Sequence, residues 1–516
     1  MTWLMALLAG LYLLCLFGLF LYGINSYVLI LLHRRHRRAA QAADARIQAR
    51  AAAQATRCPE AALPVVTVQL PVFNERYVVG RLLAAAVALE YPRDRLEIQL
   101  LDDSTDDTSA IAAGLIGEYR AAGVDVVHLR RRDRSGYKAG ALQEGLAVCR
   151  GEFVAIFDAD FVPPPDFLRR TLPYFDDPRV GMVQTRWGHL NRDYSWLTTG
   201  QAFGIDGHFG VEQGSRAWAG LYLNFNGTAG IWRKAAIHEA GGWQADTLTE
   251  DLDLSYRAQL QGWRLAFLPE VECPAELPVQ IQGFKSQQQR WAKGSIQTAR
   301  KLLPRILNGP GSWFKKYQAA VHLTHYAAHP LMLVVAVVSP VLLHLDGFFT
   351  SWHSVLAAAA FLCLATFGPS ALYCYSQRVL YPDWRRRLPY LPCLMLLGTG
   401  IALSNTKAVL EGLFRRSGDF IRTPKFAIRD RRESWWAKQY RSRFSWTAVG
   451  ELALAAYSGI GVYLFLDRGR VLVGPFLVLY TLGFAYVGLL TLLHSLPLHP
   501  ARLPRRRSQA NDALAS

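Results

Sequence analysis

"FVAIFDADF" (Phe153–Phe161) decides how this chain folds. Five apolar residues run straight into Asp158 and Asp160. A short apolar run ending in polar residues suits a strand buried on both faces. Two carboxylates one residue apart then crowd negative charge at the sheet edge. A divalent cation relieves that crowding, and hard cations such as Mg²⁺ prefer oxygen ligands. Such an ion could neutralise a departing diphosphate. A plain polar turn is the other reading of the same residues.

Similar runs lie on either side: "VVTVQL" (Val65–Leu70), "LEIQLL" (Leu96–Leu101), "VDVVHL" (Val124–Leu129) and "GMVQT" (Gly181–Thr185). Helix-like stretches separate the first four strands. This alternation, from about 64 to 300, predicts an α/β domain with a mostly parallel, Rossmann-like sheet. Ligands on such sheets bind at the carboxyl ends of the strands.

Outside that domain the chain turns apolar. Of its 516 residues, 51% are hydrophobic, and the formal net charge is +17. Apolar runs occupy 3–32 and about 319–345, 353–376, 389–411, 446–466 and 470–494. A span needs roughly 20 residues, so these predict an integral membrane protein in contact with a lipid bilayer. The basic clusters Arg34–Arg38, Arg385–Arg387, Arg415–Arg416 and Arg505–Arg507 flank apolar runs. Positive-inside placement explains them better than nucleic-acid binding does. It puts the N-terminus outside and the α/β domain in the cytoplasm. Arg34–Arg38 follows the first apolar run instead of preceding it, which disfavours a secretory signal.

Both flanks of 389–411 are basic, and the run contains Pro389, Pro392, Asn405 and Lys407. It is therefore expected to be interfacial or re-entrant. The expected organisation is a membrane helix with its basic flank (1–38), a linker or helical extension (39–63) and the catalytic domain (64–305). Next come two spans, the interfacial segment and a loop (306–445), two further spans (446–496) and a basic cytoplasmic tail (497–516). Seven scattered cysteines, with no CxxC pair, argue against a zinc site or a disulfide framework.

Three more polar clusters stand out in the soluble domain. "LLDDSTDDTS" puts Asp102 and Asp103 behind a strand, where a carboxylate can accept hydrogen bonds from a base or ribose, or simply form a turn. "LTEDLDLSYR" (Leu248–Arg257) carries Glu250, Asp251 and Asp253, and Thr247 with Glu250 fits a capping box. "SQQQRWAKGS" (Ser286–Ser295) sets Gln287, Arg290 and Trp291 on neighbouring helical positions. Arg grips phosphate in a bidentate way, and Trp offers a flat face to a sugar ring. An interfacial Arg-Trp anchor would look the same.

In order along the chain, "LDDSTD", "GYKAGAL", "FDADF", "FNGTAG", "TEDLDL" and "QQQRW" resemble the processive family-two glycosyltransferases, the cellulose, chitin and hyaluronan synthases and their relatives. "RSGYKAGALQEGL" and "FVAIFDADFVPPPDFLRRTLP" are similar to the cellulose-synthase-like A and C branch, which makes mannan, glucomannan and glucan backbones. This resemblance implies a GT-A fold embedded in a transmembrane region, and an inverting hexosyltransferase that uses Mg²⁺ or Mn²⁺ with UDP-glucose or GDP-mannose. The acceptor would be a growing β-linked polysaccharide, made processively with coupled export and possible partner subunits, or a membrane lipid.

Carried over by the same resemblance, Asp102 and Asp103 would bind the nucleotide, and Lys138 would lie near its phosphates. Asp158 would hold the nucleotide sugar and, with Asp160, the metal. Phe225, Asn226, Gly227 and Thr228 would line the acceptor end. Asp251 would be the general base, with Asp253 a supporting or solvated acid. Gln287, Arg290 and Trp291 would hold the diphosphate and the terminal sugar of the acceptor. "GDFIRTPKF" (Gly418–Phe426) is similar to the gating loop of cellulose synthases through Phe420, Thr423 and Lys425, with Arg422 where that pattern has Val. A bacterial inner membrane is the expected location. A transporter with a soluble regulatory domain is the competing class, but it has no use for acids at strand ends.

Overall fold

The computed structural model describes residues 2–55, 63–344, 352–414, 422–436, 438, 440, 445–467 and 474–496. The five expected strands are present: β1 (Val66–Val72), β2 (Leu96–Asp102), β3 (Val126–Arg130), β4 (Phe153–Ile156) and β5 (Val180–His189). Helices Val79–Val87, Thr108–Ala121 and Tyr137–Val148 separate the first four. Two strands escaped the sequence reading, β6 (Gly230–Arg233) and β7 (Arg264–Ala275). The first has only four residues, and the second contains Pro269 and Pro274, which demote a strand pattern.

All seven form one sheet in the order β3-β2-β1-β4-β6-β5-β7. The β3-β2-β1-β4 half is parallel, as expected. β6 alone runs antiparallel, to both β4 and β5, so six of the seven strands share one direction and the sheet is mostly parallel as expected. β5 and β7 pair in parallel at the far edge.

The sheet is buried on both faces. Phe153, Ala155 and Phe157 pack with Val66, Val68 and Leu70 in one apolar cluster. Val154 and Ile156 turn to the other face and pack with Met182, Trp232 and Leu254. Covering both faces is why β4 carries no polar alternation. Asp158 is the first partly exposed position after β4, whereas Asp160 stays buried between Ala159 and Phe161.

Helix Thr2–Ala55 is 54 residues long, so the expected linker begins as a continuation of the first apolar helix. Among the described residues four helices are long and apolar enough to cross a membrane: Trp3–Gln54, Trp313–His344, Thr447–Asp467 and Gly474–Ser495. The span expected at 353–376 falls in the 29-residue helix Trp352–Leu380, which is not among those four. The segment expected to be interfacial is broken: Trp384–Gly400 and Ala402–Phe414 meet at a bend of 47°. The basic tail at 497–516 lies outside the described residues.

Candidate active site

The carboxyl ends of β1 and β4, the start of helix Glu250–Leu260 and the middle of helix Ile281–Asn308 line one open cleft, with about 1270 Å³ of empty space when the solvent at its mouth is included. Most residues singled out in the sequence converge there: Asp103, Lys138, Asp158, Asp160, Asn226, Gly227, Asp251, Gln287, Arg290 and Trp291 all line it. Thr423 and Lys425 line it too. Phe420 lies outside the described residues.

Three expected site residues do not reach the cleft wall. Asp102 is buried, and its carboxylate is used up by His128 Nε2 at 2.9 Å and by the Ser104 N–H at 2.9 Å. Burial alone would raise its pKa, but hydrogen bonds from His128, Ser109 and Ser104 pull it down to about 2. Phe225 is fully buried, edge-on to Trp232, and its N–H donates to Ser255 Oγ at 2.8 Å. Thr228 sits behind the strand end, where its Oγ1 accepts the Asp158 N–H at 2.8 Å. These three build the wall from behind.

The strand-end acids each have a cation. The Arg131 guanidinium grips Asp103 in a bidentate way, at 2.8 and 2.5 Å. Lys138 Nζ lies 2.5 Å from Asp158 Oδ1 and also donates to the Gly227 carbonyl at 2.8 Å. Burial disfavours the Lys138 charge, yet Asp158 and Glu250 hold its pKa above the usual value. Lys425 Nζ lies 2.6 Å from Asp160 Oδ2.

Asp251 is different. It is half-buried, accepts the Leu252 N–H at 2.8 Å and forms no salt bridge among the described residues. Desolvation and the neighbouring Glu250 push its pKa up to about 7, against the pull of Lys138 and Arg290. Its helix starts at Glu250 with Thr249 in the cap position, and no side chain caps it. The capping box expected of Thr247 is therefore absent. The Thr249 hydroxyl faces Thr298 Oγ1 at 3.3 Å instead. Asp253 is not solvated: it is buried between Arg257, at 2.7 Å, and Lys301, at 2.9 Å.

Two glycines set the geometry. Gly227 has φ +81°, and a Cβ there would lie 2.9 Å from Asp251 Oδ2 and 3.4 Å from Lys138 Nζ. Only glycine holds this backbone against both groups. A Cβ on Gly294 would lie 2.6 Å from Thr249 Cγ2. That close approach joins the helix of Arg290 and Trp291 to the start of the Asp251 helix.

Sequence reasoning missed Glu75, Arg131, Arg134 and Glu276. Arg134 lies over the Phe73 ring, its Cζ 3.4 Å from the centroid. Glu75 receives both arms of Arg422, each at 3.1 Å. Burial pushes the Glu75 carboxyl up to about 7, with Arg422 opposing. Glu276 Oε1 accepts the Phe426 N–H at 2.8 Å. The Arg residues sit in a polar run that gave no hint of a partner. Glu75 and Arg422 are 347 residues apart.

The cleft at the strand ends gathers acids paired with cations and three acids, Glu75, Asp251 and Glu276, whose pKa burial raises. The family profile described as "Glycosyltransferase like family 2" matches residues 64–294. The chain is 36% identical over 381 residues to glucomannan 4-beta-mannosyltransferase 2 of Arabidopsis thaliana, covering 70% of this chain and 67% of that protein. It is 44% identical over 251 residues to glucomannan 4-beta-mannosyltransferase 1 of Oryza sativa subsp. japonica, 48% of either chain, so it spans about half of that relative. Mannosyltransferase PcManGT from Pyrobaculum calidifontis, solved with GDP-Man and Mn²⁺, is similar at 21% identity and TM-score 0.46, over 76% of this chain and 99% of that one. The chain belongs to glycosyltransferase family 2, in its cellulose-synthase-like branch, and is a hexosyltransferase with a GT-A-like domain. The curated relatives are plant proteins and lend nothing to the expected bacterial membrane. The long apolar helices are compatible with a membrane-embedded chain.

Proposed function

We propose that the chain transfers mannose or glucose, with inversion, from GDP-mannose or UDP-glucose to a growing β-linked polysaccharide. Synthesis is processive and coupled to export through its own membrane helices, with the catalytic domain on the cytoplasmic side. The mannosyltransferase names of its relatives favour mannose. The observation that carries the reading is Asp251, an acid with a raised pKa facing the same cleft as Asp158 and Asp160.

The acceptor hydroxyl oxygen attacks the anomeric carbon as the bond to the diphosphate breaks, and the bonding electrons leave with the diphosphate. The transition state has oxocarbenium character, as in other displacements at this carbon. Asp251 takes the hydroxyl proton. A base with a pKa near the working pH suits that role. Arg290 neutralises the leaving diphosphate, Trp291 offers its face to the terminal sugar, and Gln287 assists. Asp103 takes the nucleotide, with Asp102 fixing the strand end beneath it. Asn226 and Gly227 form the acceptor wall.

Asp158 and Asp160 would hold Mg²⁺ or Mn²⁺, which would supply charge neutralisation at the diphosphate. The pair fits such an ion: two carboxylates at a strand end leave the remaining positions to phosphate oxygens and water. Among the described residues no group of three or more His, Cys, Asp or Glu makes a protein-only cage.

The test is a donor panel. Purified chain with radiolabelled GDP-mannose or UDP-glucose and either cation should give high-molecular-weight product. Mono- or disaccharide products alone would overturn processivity. An organic-extractable product would instead mark a glycolipid acceptor.

A further inference from the structure

Residues Arg422–Phe426 reach across the cleft and engage three of its acids. Arg422 forks onto Glu75, Lys425 sits on Asp160, and the Phe426 N–H donates to Glu276. The acids come from three different parts of the catalytic domain: the end of β1, the end of β4 and the segment after β7. Glu75 and Glu276 are buried, and Arg422 also covers the Tyr440 ring, its Cζ 4.3 Å from the centroid. Tyr440 in turn bonds to Asp106. Thr423 is buried and Lys425 is held close, so the short stretch between them has little freedom. The bidentate pair is the part with directional strength, because a planar guanidinium matches a carboxylate along two parallel bonds.

We infer that the Glu75–Arg422 pair is a positioning latch that keeps Lys425 on Asp160, so that donor with its divalent cation must displace this lysine to bind. The inference rests on the reading of Asp160 as a cation ligand. The Lys425 ammonium lies 2.6 Å from Asp160 Oδ2, and a dication held by the same carboxylate would be repelled by it. The latch therefore sets how readily the diphosphate site opens, and it does so through a residue that touches neither Asp158 nor Asp160. Arg422 stands where the gating pattern has Val, so the fork onto Glu75 belongs to this chain's own variation.

The test uses the full chain in detergent, with Mn²⁺ and GDP as probes. Free Mn²⁺ is read by electron paramagnetic resonance during a titration at fixed GDP. Arg422→Val and Glu75→Gln should each lower the half-saturating Mn²⁺ at least three-fold. The charge-reversed pair Glu75→Arg with Arg422→Glu should return it towards the wild-type value. Hydrogen exchange in the 422–428 peptide should speed up in Arg422→Val, and in the wild type when Mn²⁺ and GDP are added together. An unchanged or raised half-saturating Mn²⁺ in both single variants overturns the latch. If the wild type binds no Mn²⁺ with GDP, the reading of Asp158 and Asp160 fails instead.

Discussion

The two acidic regions of the cleft are built on opposite principles. At the strand ends, Asp103, Asp158 and Asp160 each meet an Arg or Lys, at 2.5 to 2.6 Å. At the start of helix Glu250–Leu260, Asp251 meets another acid and a single backbone N–H. Carboxylates already facing cations suit the binding of a charged ligand. A desolvated acid beside a like charge holds its proton more tightly and suits proton transfer. On the proposed reading the same residue type does two jobs, divided by its neighbours.

That division can be broken most severely at the proposed base. Asp251→Asn should lower transfer by about 10²–10⁴-fold, the usual contribution of a general base. Turnover at fixed donor measures it. Gly227→Ala comes next. A Cβ at φ +81° strains the backbone and pushes on Asp251 Oδ2, so turnover should fall by about 10²-fold while the protein still folds.

Asp253 tests the structural acid of the same helix. Asp253→Asn leaves Arg257 and Lys301 with a neutral partner inside the fold, so stability should drop by about 3 kcal/mol, read from denaturant midpoints. The smallest effect is electrostatic. As the proposed base Asp251 would work deprotonated, so activity should rise with pH through about 7. Glu250 raises that pKa, so Glu250→Gln should move the acidic limb of the pH–rate profile to lower pH. An upward move would mean that Glu250 is not the neighbour that matters.

Local features of this site were readable in the sequence because they depend on a few adjacent residues. The apolar run ending at Asp158 and Asp160, and the one-face spacing of Gln287, Arg290 and Trp291, needed no tertiary information. The capping of Asp251's helix was not readable, because Thr249 stands at the cap position with its hydroxyl facing Thr298, a partner 49 residues away. The inward turn of Asp102 was not readable either, since its partner His128 sits on the next strand. Four-residue β6 and proline-bearing β7 gave weak patterns, and β6 is the one strand that opposes the otherwise parallel sheet. Glu75 meets Arg422 only through the fold.

The most direct test of the division between binding acids and reacting acid is nucleotide affinity in two variants. Calorimetric titration of GDP with Mn²⁺ should give Asp251→Asn the wild-type affinity within about two-fold, whereas Asp158→Asn should weaken it about ten-fold, the loss of about 1.4 kcal/mol. If Asp251→Asn loses donor affinity as severely as Asp158→Asn does, the two regions are one binding site and the account of Asp251 as the proton acceptor is contradicted.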